Sequence, residues 1–447
     1  MPRNILMLQG PVGPFFKKFS RQLECRGHNV LKVNLNGGDL YYYRSGKYLN
    51  FTSKPSVWPA WIESVMVGRN IDRIYLFGDC RRYHRQAIGI ARRLDIEVYV
   101  FEEGYVRPNY VTLEKDGVNG FSSACGKNCI MKLQNTSVEA NDLPSEPVSN
   151  VFSSAARHCI QYYLAASLMK GMFSEYEHHR SLKLLTEWGY WWRSGFRKVL
   201  YSFTEKKTAM KIAQGNEKYF LLPLQVHSDM QVRQHSDFQS IEKYLEYVIS
   251  SFSKSGRGDC SLVVKHHPYD RGYKTYSEVL KKLALVYGLE NRLHYVHDTD
   301  LPSLLQNAEG SVLINSTVGI SSLYHNTPVK ALGEAIYDIE GLTNQGSLED
   351  FWKNPGKIDR DLFAKFRRYL IDKTQVNGSL YTSIKNAGES GLIWPAALAE
   401  IHFSDVEAHK ESRESGSIID LEEHKRSAEV EGGQAEVDSA AGDKIAI

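Results

Sequence analysis

Three short polar runs, each at the end of an apolar segment, carry most of the chemistry available to this chain. Lys265-His266-His267-Pro268 follows the apolar run Leu262 to Val264, and Asn315-Ser316-Thr317-Val318-Gly319 follows Ser311 to Ile314. Such runs read as buried parallel strands, and Pro268 stops the first just where the side chains turn polar. Lys265 and His267 supply cationic donors, while Ser316 and Thr317 supply hydroxyls at the expected start of a helix. Open α/β sheets bind ligands outside the carboxyl ends of their strands, so the two runs together suit a phosphate held between strand ends. Turns and helix caps use the same residue types. It is the pair of motifs on one expected sheet that points to a site.

The third run is Glu102-Glu103-Gly104, closing the strand Glu97 to Phe101, with Arg107 and Pro108 just beyond. Two carboxylates at a strand end fit acid–base work. Adjacent side chains on extended backbone face opposite ways, so one of them enters a cleft, and Glu103, beside the glycine, is the favoured one. Gly10-Pro11-Val12-Gly13 follows the strand Ile5 to Gln9 and lets a ligand approach backbone. It is neither a dinucleotide fingerprint nor a phosphate-binding loop of the Gly-Lys-Ser/Thr kind. Asn36-Gly37-Gly38-Asp39 reads as a turn ahead of Tyr41 to Tyr43, and Gln225-Val226-His227-Ser228-Asp229 closes one more strand. Asp298 and Asp300 precede a Leu-Pro helix start and read as helix-capping residues, not metal ligands.

The elements that must position these groups are two sets of alternating strands and helices. Residues 1–121 hold four βα repeats and form an N-terminal Rossmann-like domain. Residues 122–217 are a linker followed by a helical, aromatic and basic segment. Residues 218–404 form a second Rossmann-like domain, and 405–447 read as a disordered acidic tail. The tail holds twelve acidic and five basic residues, so it carries −7, and the body +10, of an overall +3. A basic body favours an anionic partner. Between Arg157 and Lys207, three tryptophans accompany nine Lys/Arg and four Glu, a composition suited either to a core-facing helical connection or to an anionic membrane surface. Six scattered cysteines, Cys125 and Cys129 among them, form no disulfide or zinc framework and fit a reducing, cytoplasmic setting. No run of apolar residues is long enough to span a membrane.

Several runs resemble the capsule polysaccharide biosynthesis family of KpsS/LipB type, across roughly residues 1–400. They are Leu8 to Phe16, Lys32 to Asp39, Phe101 to Pro108, Pro223 to Asp229, Lys265 to Pro268 and Asn315 to Thr317. The resemblance implies a GT-B-like α/β fold, two Rossmann-like domains facing a cleft. It implies a retaining β-Kdo transferase moving Kdo (3-deoxy-D-manno-octulosonic acid) from CMP-β-Kdo to phosphatidylglycerol or its lyso form, starting a poly-Kdo linker. Asp229 is then the nucleophile, Glu103 the acid–base residue, and His267 the group that neutralises the leaving CMP. Gln225, Lys265, His267, Pro268, Asn315, Ser316 and Thr317 would hold the donor. Gly10, Gly13, Asn36, Asp39, Glu102 and Arg107 would lie on the acceptor side. Neither a metal nor a cofactor beyond the donor substrate is expected, and no nucleic acid. The implied setting is the cytoplasmic face of the inner membrane, beside other capsule assembly proteins. Extension of the linker, sialyl transfer and a non-catalytic export role are the alternatives.

Overall fold

The computed structural model describes residues 2–122, 133, 145–177, 184–205, 217–227, 232 and 234–403. Asp229, Cys125, Cys129 and the acidic tail lie outside the described residues.

The first half runs β1 (Asn4–Met7), α1 (Phe15–Cys25), β2 (Asn29–Asn34), α2 (Gly37–Tyr42), β3 (Tyr48–Asn50), α3 (Trp58–Gly68), β4 (Arg73–Phe77), α4 (Arg82–Arg93), β5 (Glu97–Glu103) and β6 (Tyr110–Lys115). The strands β3, β2, β1, β4 and β5 pair in parallel in that order, so their carboxyl ends open along one edge. Both faces are covered, which is why the strands are apolar throughout. Leu6, Val33, Ile74, Val98 and Val100 pack toward α3 and α4, while their neighbours Ile5, Tyr75, Tyr99 and Phe101 pack toward α1. On α1, Phe15, Phe19 and Leu23 recur at helical spacing on the buried face. The ring of Phe19 meets Tyr75 edge-on at 4.9 Å and Phe101 at 5.2 Å. Each such buried side chain contributes about 1.5–3 kcal/mol.

Next come α5 (Val151–Leu168) and α6 (Leu184–Thr204), then the second half. It contains β7 (Lys218–Pro223), α7 (Ile241–Ser255), β8 (Cys260–Lys265), α8 (Ser277–Tyr287), β9 (Leu293–Val296), α9 (Leu301–Asn307), β10 (Gly310–Leu313), α10 (Val318–Tyr324), β11 (Val329–Ala331), α11 (Leu348–Lys353) and α12 (Arg360–Thr374). Its five strands run parallel in the order β11-β10-β7-β8-β9. The chain thus forms the expected GT-B-like α/β fold of two Rossmann-like sheets. A shared core joins them, in which Tyr105, Val106 and Tyr110 of the first half cluster with Ile320, Tyr337, Phe366 and Leu370 of the second.

Two expectations are corrected. The end of the chain does not stay with the second half: β12 (Gln375–Asn377) adds antiparallel to β6, and α13 (Ala396–Phe403) packs Leu398 and Phe403 beside Phe19. Residues 375–403 therefore belong with the first sheet, through a strand too short and too polar to show in apolar periodicity. The Gly-Gly-Asp turn is instead the first turn of α2. Asn36 caps it, its Oδ1 accepting from the N–H groups of Gly38 at 2.8 Å and Asp39 at 3.1 Å. Both glycines are required by the close approach of α5. A Cβ on Gly37 would lie 2.5 Å from the Ala165 carbonyl oxygen, and one on Gly38 would lie 2.6 Å from the Tyr162 ring.

Candidate functional site

On the first sheet, the ends of β1 and β2 are tied by a buried polar network. Tyr162 of α5 donates to Asp39 Oδ1 at 2.8 Å and accepts from Asn36 Nδ2 at 2.7 Å. Gln9 Nε2 lies 3.2 Å from Asp39 Oδ2, which also accepts from the Leu35 N–H at 3.0 Å. Arg81 donates to Gln9 Oε1 at 2.8 Å. Asn36 and Asp39, two expected acceptor-side residues, are thus brought together, but as a cap and a hub that seat α5 on the sheet. Gly10 and Gly13 line a pocket next to them. Arg107 is exposed and donates to the Gly104 carbonyl at 3.2 Å.

The two carboxylates at the end of β5 have different surroundings. Glu102 continues the strand face of Val98 and Val100, and withdrawal from water pushes its carboxyl up to about 7. Its Oε1 accepts from the Glu103 N–H at 3.0 Å. Glu103 lies on the opposite face and accepts from the Tyr381 hydroxyl at 2.6 Å. Burial first, then Glu103 itself, keeps that phenol protonated. Both positions predicted from sequence are at the strand end. Burial brings the Glu102 carboxyl toward neutral pH, which makes it a second candidate, beside Glu103, for a proton carrier at this strand end.

On the second sheet the expected donor residues lie at or just beyond the ends of three neighbouring strands, because β8, β7 and β10 lie side by side. Gln225 Nε2 donates to Asn315 Oδ1 at 2.9 Å, locking the ends of β7 and β10 together. Lys265 is buried, its pKa lowered chiefly for that reason, and its Nζ donates to the His297 carbonyl at 3.1 Å. His267 Nδ1 accepts from the Tyr269 N–H at 3.2 Å, across the turn that Pro268 starts. Ser316 Oγ accepts from the Val318 N–H at 3.3 Å, whereas the Thr317 hydroxyl makes no capping bond to α10. Asp300 caps α9, accepting from the Ser303 N–H at 2.9 Å, and Asp298 pairs with Arg271. Asp300 behaves as the capping reading of that run expects, whereas Asp298 does not cap the helix.

Sequence reasoning missed three groups. His227 and Asp270 form a tight pair on the ends of β7 and β8. His266, its pKa lowered to about 3 by burial and so neutral, meets the Tyr295 hydroxyl at 2.6 Å through Nδ1. Beside it, His297 stacks on Tyr201 of α6 at 3.7 Å and its N–H donates to Glu205 at 2.8 Å. Lys32 is the third, a fully buried ammonium in β2. Asp270 closes the same run as His267, and that adjacency was the available signal. His266 stands inside the Lys265–Pro268 run itself, whereas nothing in the spacing marks Lys32.

A family model described as capsule polysaccharide biosynthesis protein matches residues 72–381. The chain is 40% identical over 383 residues to the capsule polysaccharide export protein KpsS of Escherichia coli, covering 85% of this chain and 97% of that protein. It is 37% identical over 396 residues to the capsule polysaccharide modification protein LipB of Neisseria meningitidis serogroup A, covering 87% and 94%. Among solved structures it is similar to the beta Kdo 2,7 transferase of Thermosulfurimonas dismutans KpsC, with 13% identity and a TM-score of 0.43 over 90% of this chain and 99% of that one.

Proposed function

Because the chain belongs to the capsule polysaccharide biosynthesis family, we propose that it is a retaining glycosyltransferase that moves Kdo from CMP-β-Kdo to a phosphatidylglycerol-type lipid. One observation carries this reading: a carboxyl group that titrates near 7, Glu102, ends one sheet, and a cluster of cationic and amide groups ends the other. The first is what an acceptor hydroxyl needs and the second what a nucleotide phosphate needs.

Retention requires two displacements at the anomeric carbon. In the first, the Asp229 carboxylate forms a bond to that carbon as CMP leaves with the bonding pair. Lys265 and His267 offset the charge gathering on the phosphate, and Ser316 and Thr317 hydrogen-bond it. The Gln225–Asn315 pair holds the floor between them. In the second, the acceptor oxygen attacks the same carbon, Glu102 takes its proton, and Asp229 departs. Glu103, held by Tyr381, sets the position of the strand end.

A lipid acceptor stays in the bilayer, so the enzyme must reach it there. No helix among the described residues is long and apolar enough to cross a membrane. Along α6, Trp192, Phe196, Val199 and Phe203 recur at helical spacing and are 75%, 70%, 59% and 76% exposed. Arg193 and Arg197 of the same helix donate to backbone carbonyls of Tyr273 and Arg271. The apolar stripe, with basic neighbours, supports peripheral binding to an anionic cytoplasmic surface.

The deciding experiment is incubation of the full chain with CMP-Kdo generated in situ and phosphatidylglycerol or its lyso form, read by mass spectrometry. A product one Kdo heavier supports the reading. Transfer from CMP-sialic acid alone, or CMP binding without transfer, would replace it with a different donor or with the export role that the name of the Escherichia coli relative carries.

A further inference from the structure

On α6, Arg193, Arg197 and Tyr201 recur every fourth residue and so share one face. Glu205 continues the row just past the helix end, where its N–H still donates to the Tyr201 carbonyl at 3.0 Å. The row lies against the turns that follow β8 and β9. Arg193 donates to the Gly272 and Tyr273 carbonyls at 2.5 and 3.1 Å, and Arg197 to the Arg271 carbonyl at 2.8 Å. A Cβ on Gly272 would lie 2.3 Å from the Tyr190 carbonyl oxygen, so the helix backbone meets that turn directly. Tyr201 and Glu205 close on one residue at the end of β9, His297. The two rings stack at 3.7 Å, their planes 14° apart. Glu205 uses both carboxylate oxygens: Oε2 accepts from the His297 N–H at 2.8 Å, and Oε1 meets its Nδ1. His297 Nε2 is buried with no partner among the described residues, so the polar hold on this ring is Glu205.

The carbonyl of the same His297 accepts from Lys265 Nζ at 3.1 Å. A lysine ammonium rides on a flexible stem, so the acceptor that holds it decides where it points. Burial lowers the Lys265 pKa, and the carboxylates of Asp298 and Glu205 oppose that shift. We propose that Tyr201 and Glu205 are positioning residues for the donor site, pinning His297 so that its carbonyl aims the Lys265 ammonium at the donor phosphate. The inference rests on the reading that the second sheet holds that phosphate. It assigns α6 a second task, on the face beside its exposed apolar stripe.

The test is calorimetric titration of the full chain with CMP, each variant held below its own melting transition. Glu205→Ala should weaken CMP binding by about tenfold, as the charge-assisted hold on His297 is lost. Glu205→Gln keeps an oxygen for the His297 N–H and should recover part of that loss. Tyr201→Phe keeps the stacked ring and should bind as wild type does. Tyr201→Ala should bind more weakly, and serves if Glu205→Ala does not fold. A double-mutant cycle with Lys265→Met separates positioning from general support, because His267, Ser316 and Thr317 remain to hold CMP. Once the ammonium is gone, Glu205→Ala should cost no further affinity. An equal loss with and without the Lys265 ammonium, or full CMP affinity in both alanine variants, overturns the inference. A wild-type chain that binds no CMP would fail the donor-site reading itself and take the inference with it.

Discussion

The Asp270 carboxylate grips His227 twice: Oδ1 lies 2.6 Å from His227 Nδ1, and Oδ2 accepts the His227 backbone N–H at 2.6 Å. Asp270 is 1% exposed, while the imidazole is about a third exposed at 35%. The clamp fixes the chain two residues before Asp229, the proposed nucleophile. Asp270→Asn keeps the shape but loses the charge-assisted bonds, worth about 1.5–3 kcal/mol each. We expect a lower melting temperature and a loss of turnover larger than the loss of CMP affinity. Wild-type values for all three would show that the clamp positions nothing.

Glu102 should set the acid limb of the pH profile. Its carboxyl titrates near 7 and must be ionised to take a proton, so activity should rise with pH through that value. Glu102→Gln should cost about 10²–10⁴-fold in turnover. Glu103→Gln and Tyr381→Phe should cost much less and leave the limb in place. A limb that disappears in Glu103→Gln and persists in Glu102→Gln would return the proton to Glu103.

Lys32 predicts a pH dependence of stability. Burial lowers its pKa from 10.5 to about 8 in the folded chain. Between those values the unfolded state binds more protons, so stability should rise as pH increases through the window. Lys32→Met should abolish this rise and melt higher than wild type at neutral pH, where the folded chain must hold the buried ammonium in its charged form. Chemical denaturation at pH 7.5, 9 and 10 (set with about tenth-molar salt to hold screening constant) measures both. A less stable Lys32→Met would mean that the two hydrogen bonds outweigh the buried charge.

The stripe on α6 should bind membranes. Replacing Trp192, Phe196 and Phe203 together with Ser should reduce flotation with phosphatidylglycerol vesicles and turnover on lipid acceptor, with CMP binding unaffected. Wild-type binding should weaken as salt screens its basic groups over about 8–10 Å. Equal flotation of the two proteins would leave the stripe without a membrane role.

Asp229→Asn removes the attacking charge with little change in shape. Transfer should be lost and CMP affinity kept, as judged by single-turnover assays and calorimetry. Normal turnover in this variant would rule out double displacement through Asp229.

Much of this was written locally. Parallel strands covered on both faces must be apolar along their length, so β4, β5, β7 and β8 announced themselves, and the polar residues that end them stood out as site candidates. The cap role of Asp300 and the start of α7 at Ser240 were legible for the same reason, since a helix end has local donors to satisfy. What the sequence could not decide was burial and distant pairing. Gln375-Val376-Asn377 becomes a strand only because β6 offers an open edge from more than two hundred residues away. Gly37 and Gly38 look like turn residues until α5 is laid across them. Lys32 reads as an ordinary strand lysine, and Glu102 as the twin of Glu103, until the packing of the neighbouring elements removes water from one of each and shifts its proton affinity. Local residue type set the strand ends and their chemistry, and the tertiary structure alone set which of those groups stand in low dielectric, because that depends on what folds over them.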